Sequence, residues 1–109
     1  MSQKMISFSF LDLCIDMKLT TKRYGVEVGW TFGPCASNPG RFGYESRQVY
    51  SERCCLPLGE HTLTCKDDGG DGWNGASMEI QGTTYCDDFT SGSESTKLVT
   101  LLGTDKLEL

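Results

Sequence analysis

Histidine, proline and basic residues are all scarce in this chain, and each shortage removes a class of function. One histidine, three prolines, and ten Lys and Arg against fifteen Asp and Glu give a formal net charge of -5 over 109 residues. Nucleic-acid binding needs clustered Lys and Arg to release counterions from phosphates, and no such cluster occurs. Apolar runs fall well short of the roughly 18 residues a membrane span needs, so none is expected. Asn38 precedes Pro39-Gly40 and Asn74 precedes Gly75-Ala76, which leaves no Asn-x-Ser/Thr acceptor for N-glycosylation. The single His61 has no partner pair at zinc-site spacing, and no Gly-x-Ser-x-Gly elbow supports a serine hydrolase. Paired acids such as Asp67/Asp71 or Asp87/Asp88, as acid and base on a glycoside, and a cysteine nucleophile, were the thiols free, are the remaining catalytic options. A chain this short offers them little cleft, so no enzyme is expected.

Cysteine and glycine, by contrast, are abundant. Six cysteines and thirteen glycines in one short chain fit a small domain braced by disulfides in an oxidising compartment. The opening Met1-Ser2-Gln3-Lys4 shows no clear signal-peptide pattern, so the expectation of a secreted or extracellular protein rests on the cysteines Cys14, Cys35, Cys54, Cys55, Cys65 and Cys86. Their connectivity is open, except that neighbouring strand residues face opposite ways, so Cys54 and Cys55 should seek different partners. Cys65 and Cys86, each beside an acidic run, are a natural pair.

Apolar residues alternate with polar ones rather than recurring at helical spacing. Ile6, Phe8 and Phe10 share one face of a first candidate strand. Further candidates are Cys14 to Leu19, Glu27 to Phe32, Gln48 to Cys54, His61 to Lys66, Ala76 to Gln81, Thr83 to Cys86 and Lys97 to Leu102. Gly33 to Gly40 and Ser91 to Ser95 read as turns, and Gln81-Gly82-Thr83 as a hairpin. Short strands at regular spacing predict one all-β domain over 1–109, an antiparallel sandwich of jelly-roll or Greek-key type.

The chemistry concentrates in Asp67-Asp68-Gly69-Gly70-Asp71-Gly72-Trp73-Asn74-Gly75. Asp and Asn offer the hard oxygens calcium prefers, and the glycines let backbone carbonyls approach it. An EF-hand is excluded: counted from Asp67, Gly69 falls at the third position and Met78 at the twelfth, where ligands are required. The expected shell is Asp67, Asp68, Asp71 and Asn74, with Asp87 and Asp88 joining if the following hairpin folds back. The competing reading is a polar turn whose aspartates bond their own backbone. Trp73 either supports a ligand ring beside the ion, together with Asp71 and Asn74, or fills the core. Trp30 is expected in the core. Arg41, Arg47 and Arg53 with Tyr44 and Tyr50 form a basic, aromatic stretch that is either a partner surface or a plain solvated strand.

A short echo links Tyr24-Gly25-Val26-Glu27-Val28-Gly29-Trp30 to Gly69-Gly70-Asp71-Gly72-Trp73, each with a glycine, an acid and a tryptophan. It predicts two loops at one end of the sandwich. With Cys55-Leu56-Pro57-Leu58-Gly59-Glu60-His61-Thr62-Leu63-Thr64 between them, these segments resemble a widespread extracellular β-sandwich module. That module has the pattern T-D-x-Y-G-x-E-x-x-W, then C-L-P-x-G-x-Y, then D-S-Y-G-D-G-W-N-G. The likeness spans roughly residues 17 to 88. It implies a calcium-binding, adhesive or lectin-like module, with Asp67, Asp71 and Asn74 on the acidic loop and Glu27 as the upstream acid. Lys22 stands where the pattern carries Asp, and Asp68 and Gly69 replace Ser and Tyr, so Glu27 is left out of the expected shell.

Two functions are therefore expected to compete. One is calcium-dependent recognition of a carbohydrate or cell-surface glycoconjugate, with homo-oligomers supplying multivalency. The other is a structural or adhesive extracellular matrix module with no small-molecule ligand.

Overall fold

Alternation along Leu13 to Leu19 sends Ile15, Met17 and Leu19 into a common interior and Cys14, Asp16 and Lys18 to solvent. The computed structural model, which describes residues 12–37 and 44–102, places this segment in β1 (Asp12–Thr20). The same period-2 logic builds β2 (Val28–Phe32), β4 (Val49–Pro57), β5 (Gly59–Asp67), β6 (Ser77–Ile80), β7 (Thr83–Tyr85) and β8 (Glu94–Leu101), with a short β3 (Cys35–Ala36). A single 3-10 turn, Gly25–Glu27, precedes β2. Ile6, Phe8 and Phe10 lie outside the described residues, as does Arg41.

The strands form two antiparallel sheets of order β4-β1-β6-β7 and β3-β2-β5-β8. β2–β3 and β6–β7 are hairpins, and every other connection passes from one sheet to the other. The Gln81-Gly82 turn closes β6–β7 with Ile80 opposite Thr83, where the sequence places a hairpin. Between the sheets lies one apolar core that includes Met17, Leu19, Trp30, Phe32, Leu56, Leu63, Trp73, Met78, Ile80 and Val99. The fold is the disulfide-braced β-sandwich the alternation predicts.

The structure assigns the disulfides as Cys14–Cys55, Cys35–Cys54 and Cys65–Cys86. Adjacent Cys54 and Cys55 do take different partners. Cys14–Cys55 joins β1 to β4 within one sheet, whereas Cys35–Cys54 ties β3 to β4 and so pins the two sheets together. Cys65–Cys86 fastens β5 to the turn after β7, again across the sandwich. Three such bonds fit an oxidising compartment. Among the described residues no helix is long and apolar enough to cross a membrane.

Two sequence readings change. Glu94 and Ser95, placed in a turn on composition, belong to β8, where they pair with Lys66 and Cys65. β8 is an edge strand with one open flank, so polar residues cost it little. The basic, aromatic stretch does not remain one surface: Tyr44 packs on Tyr50 with ring centroids 4.8 Å apart, while Arg53 is exposed on β4. Tyr44 is buried, accepts from Trp30 Nε1 at 3.0 Å and donates to Glu52 Oε2 at 2.7 Å, while Arg53 pairs with Asp16 at 3.6 Å.

Candidate metal centre

The inward residues of β5 are Leu63, Cys65 and Asp67, so the alternation that builds the core carries a carboxylate into it at the strand end. Asp67 is only 3% exposed. Burying a charge without partners is costly, and the loop answers with its own backbone. Gly69 N–H donates to Asp67 Oδ1 at 3.3 Å and Asp71 N–H to Oδ2 at 2.6 Å, an Asx-type turn that draws Asp71 back over Asp67.

The strand register then supplies a third carboxylate. Val28 pairs with Asp67 at the end of the β2–β5 ladder, so Glu27 lies one step beyond, where its carbonyl accepts from Asp68 N–H at 2.9 Å. Carboxylate oxygens of Glu27, Asp67 and Asp71 all lie within 4.8 Å of one another. Glu27 Oε1 has no exposed surface and no hydrogen-bond partner. Burial raises the Glu27 pKa above its ordinary value, and the charges of Asp67, Asp71 and Asp68 raise it further. In the absence of a cation, two of these carboxyls can hydrogen-bond each other only by sharing a proton.

Gly69 makes the convergence possible. A Cβ at that position would lie 2.7 Å from Glu27 Cδ, so any larger residue would push the Glu27 carboxylate out. The absence of a side chain at Gly69 thus leaves the space in which Glu27 sits. Gly72 has a different reason: at φ +85°, a Cβ there would stand 2.6 Å from the Thr90 carbonyl carbon.

The loop is anchored from beneath. Trp73 is fully buried, donates Nε1–H to Lys66 O at 2.8 Å and lies against Phe89 with ring centroids 6.3 Å apart. Its ring therefore has no face open to a ligand, and the ligand-facing expectation gives way to the core one. An indole in this loop gains more from burial plus one hydrogen bond than from solvent. Trp30 is buried as expected.

The chain does fold back on the loop, but through Phe89, Gly92 and Ser93 rather than through Asp87 and Asp88. Trp73 N–H donates to Phe89 O, Gly72 N–H to Gly92 O and Asp67 N–H to Ser93 O, at 2.8, 3.1 and 2.8 Å. Asp87 and Asp88 are exposed and outside the cluster, and Asp88 is held by Lys97 at 3.1 Å. Asp68 is likewise exposed and outside it. Asn74 turns its amide NH₂ to Asp71 Oδ1 at 3.3 Å and to Gly72 O at 3.2 Å, acting as a donor that steadies Asp71. The stem of Lys22 runs past Gly75, where a Cβ would lie 3.1 Å from Lys22 Cγ. Among the described residues no ion pair joins Lys22 to the cluster.

The residue that sequence reasoning left out is Glu27. Its signal was the short echo between the two glycine-acid-tryptophan loops, which do meet at one end of the sandwich. Compared with protein-family models, with curated proteins and with solved structures, the chain matches none.

Proposed function

We propose that this protein is a calcium-dependent recognition module of the extracellular space, with Glu27, Asp67 and Asp71 as its metal-binding carboxylates and a carbohydrate or cell-surface glycoconjugate as partner. The supporting observation is the meeting of three carboxylates around Glu27 Oε1, which is buried and unpartnered. Mutual repulsion among them is relieved by a divalent cation. Calcium suits the donor set because it accepts carboxylate and backbone carbonyl oxygens in flexible geometry, about six to eight in all. The loop offers carbonyls beside Asp67 and Asp71, and water or ligand hydroxyls complete the shell. Resemblance to an extracellular module with the Gly-Asp-Gly-Trp-Asn-Gly loop points the same way.

Burial of Trp73 favours a second reading, a structural or adhesive matrix module in which the ion only orders the loop. No indole face is available beside the cluster to hold a sugar ring. Two measurements separate the readings. Calorimetric titration with calcium after chelation is expected to show binding to the native chain and none to Asp71→Ala; equal curves would remove the metal site from both readings. A glycan array with and without chelator is expected to show calcium-dependent signals; a silent array with intact calcium binding leaves the structural module.

A further inference from the structure

The three disulfides differ in the side of the sandwich they occupy. Cys54, Cys65 and Cys86 are at most 1% exposed and Cys35 is half-buried, so Cys65–Cys86 is sealed between the sheets and Cys35–Cys54 is covered on its Cys54 side. Cys14 and Cys55 are exposed and point outward from β1 and β4, directly opposite each other in the ladder. Thiol–disulfide exchange requires a thiolate to reach a sulfur, so access decides which bond reacts.

The surroundings leave this bond open to solvent. One step along the same outer face, Arg53 and Asp16 form a solvated ion pair at 3.6 Å, with side chains 66% and 73% exposed. Guanidinium and carboxylate offset each other, so access rather than local charge sets this bond apart. Opening the bond releases little structure. β1 stays bound to β4 through nine register pairs and to β6 on its other flank, and Ile15, Met17 and Leu19 remain in the core. Alternation sends the Cys54 side chain to the opposite face from Cys55, so a freed Cys55 thiolate does not meet the Cys35–Cys54 bond.

We infer that Cys14–Cys55 is a reversible modification site for small external thiols, while the other two disulfides are permanent staples. A low-molecular-weight thiolate attacks one sulfur, the protein S–S bond breaks, and its electron pair leaves on the other sulfur, which takes a proton. A second external thiolate then attacks the external sulfur of the mixed disulfide. This releases the oxidised external disulfide and a second protein thiolate, which is protonated in turn. Two external thiols have been oxidised and one protein disulfide reduced, a two-electron exchange. Because the strands hold the two thiols opposite each other, reverse exchange with the oxidised external disulfide reforms the bond within the chain and returns two external thiols.

The test treats the native protein, without denaturant, with millimolar reduced glutathione, followed by rapid alkylation and peptide mass spectrometry. Expected are alkyl groups on Cys14 and Cys55 alone, with a transient glutathione adduct on one of them, and loss of both labels after reoxidation. Comparable labelling of Cys35, Cys54, Cys65 or Cys86 overturns the inference, as does a Cys14–Cys55 bond that resists until denaturant is added. The double variant Cys14→Ser/Cys55→Ser is expected to keep a cooperative thermal transition and to take up no label. A variant that labels at the remaining four cysteines shows that the bond guards the fold, which also overturns it.

Discussion

Glu27, Asp67 and Asp71 at one end of the sandwich and Asp87 and Asp88 after β7 are both acidic groups, yet only the first accumulates unrelieved charge. Asp87 and Asp88 are neighbours in sequence and exposed, water screens them, and Lys97 neutralises one. Glu27, Asp67 and Asp71 come from two separate stretches of chain, are pressed together by strand register and a backbone turn, and enclose an oxygen with no donor. Adjacency in sequence is thus a poor guide to a cation site. Convergence on a partly buried point, with a glycine clearing the space, is a better one.

The strongest way to break this contrast is to remove the anchor beneath the inner cluster. Trp73→Ala should lower stability by about 3–5 kcal/mol, the usual cost of emptying a large buried aromatic site, measured by denaturant unfolding. Loading the cluster acts in the other direction. Calcium at a hundredfold excess over its Kd should stabilise the native chain by about 2.7 kcal/mol in thermal unfolding and leave Asp71→Ala unmoved.

Acidity sharpens the comparison next. A carboxyl whose pKa is higher in the folded than in the unfolded chain binds more protons when folded, so its contribution favours folding at low pH. That contribution falls away as pH rises from the ordinary value of 4.5 through the raised one. Glu27→Gln should therefore flatten this part of the stability–pH profile of the calcium-free protein, make it more stable than the native chain at neutral pH and abolish its calcium response. An unchanged profile would mean that Glu27 is well solvated. The smallest effect belongs to the outer pair. Asp88→Asn should cost at most about 1 kcal/mol, as solvated ion pairs do, and leave the calcium titration intact.

Much of the sandwich was legible because strands declare themselves by alternation: Ile15, Met17 and Leu19, or Leu63 and Cys65, repeat at the spacing a half-buried strand needs. β3 escaped because two residues carry no period, and the start of β8 escaped because Glu94 and Ser95 sit on an edge where polarity is tolerated. The acidic loop was visible from composition, and Asp67 and Asp71 do come together. Glu27 was signalled by the echo of the two loops but left out of the shell, since its place depends on the pairing of Val28 with Asp67, a register that only the folded sheet reveals. Nor could composition decide between the two fates of Trp73. That depended on the Lys66 carbonyl and on Phe89, which the chain brings beneath the loop from beyond β7.

The alternation of sheets along the chain also governs how the protein reaches its native state. Only β2–β3 and β6–β7 can form from neighbouring residues; β1 must wait for β4 and β6, and β5 for β8. Each of those pairings closes a long loop before its contacts repay the entropy lost, so folding should be slow, on the order of milliseconds to seconds as in other nonlocal β topologies. During that interval the edges of half-built sheets are open to other chains. Early closure of Cys35–Cys54 or Cys65–Cys86 would shorten the search by joining the two layers before the central strands have settled.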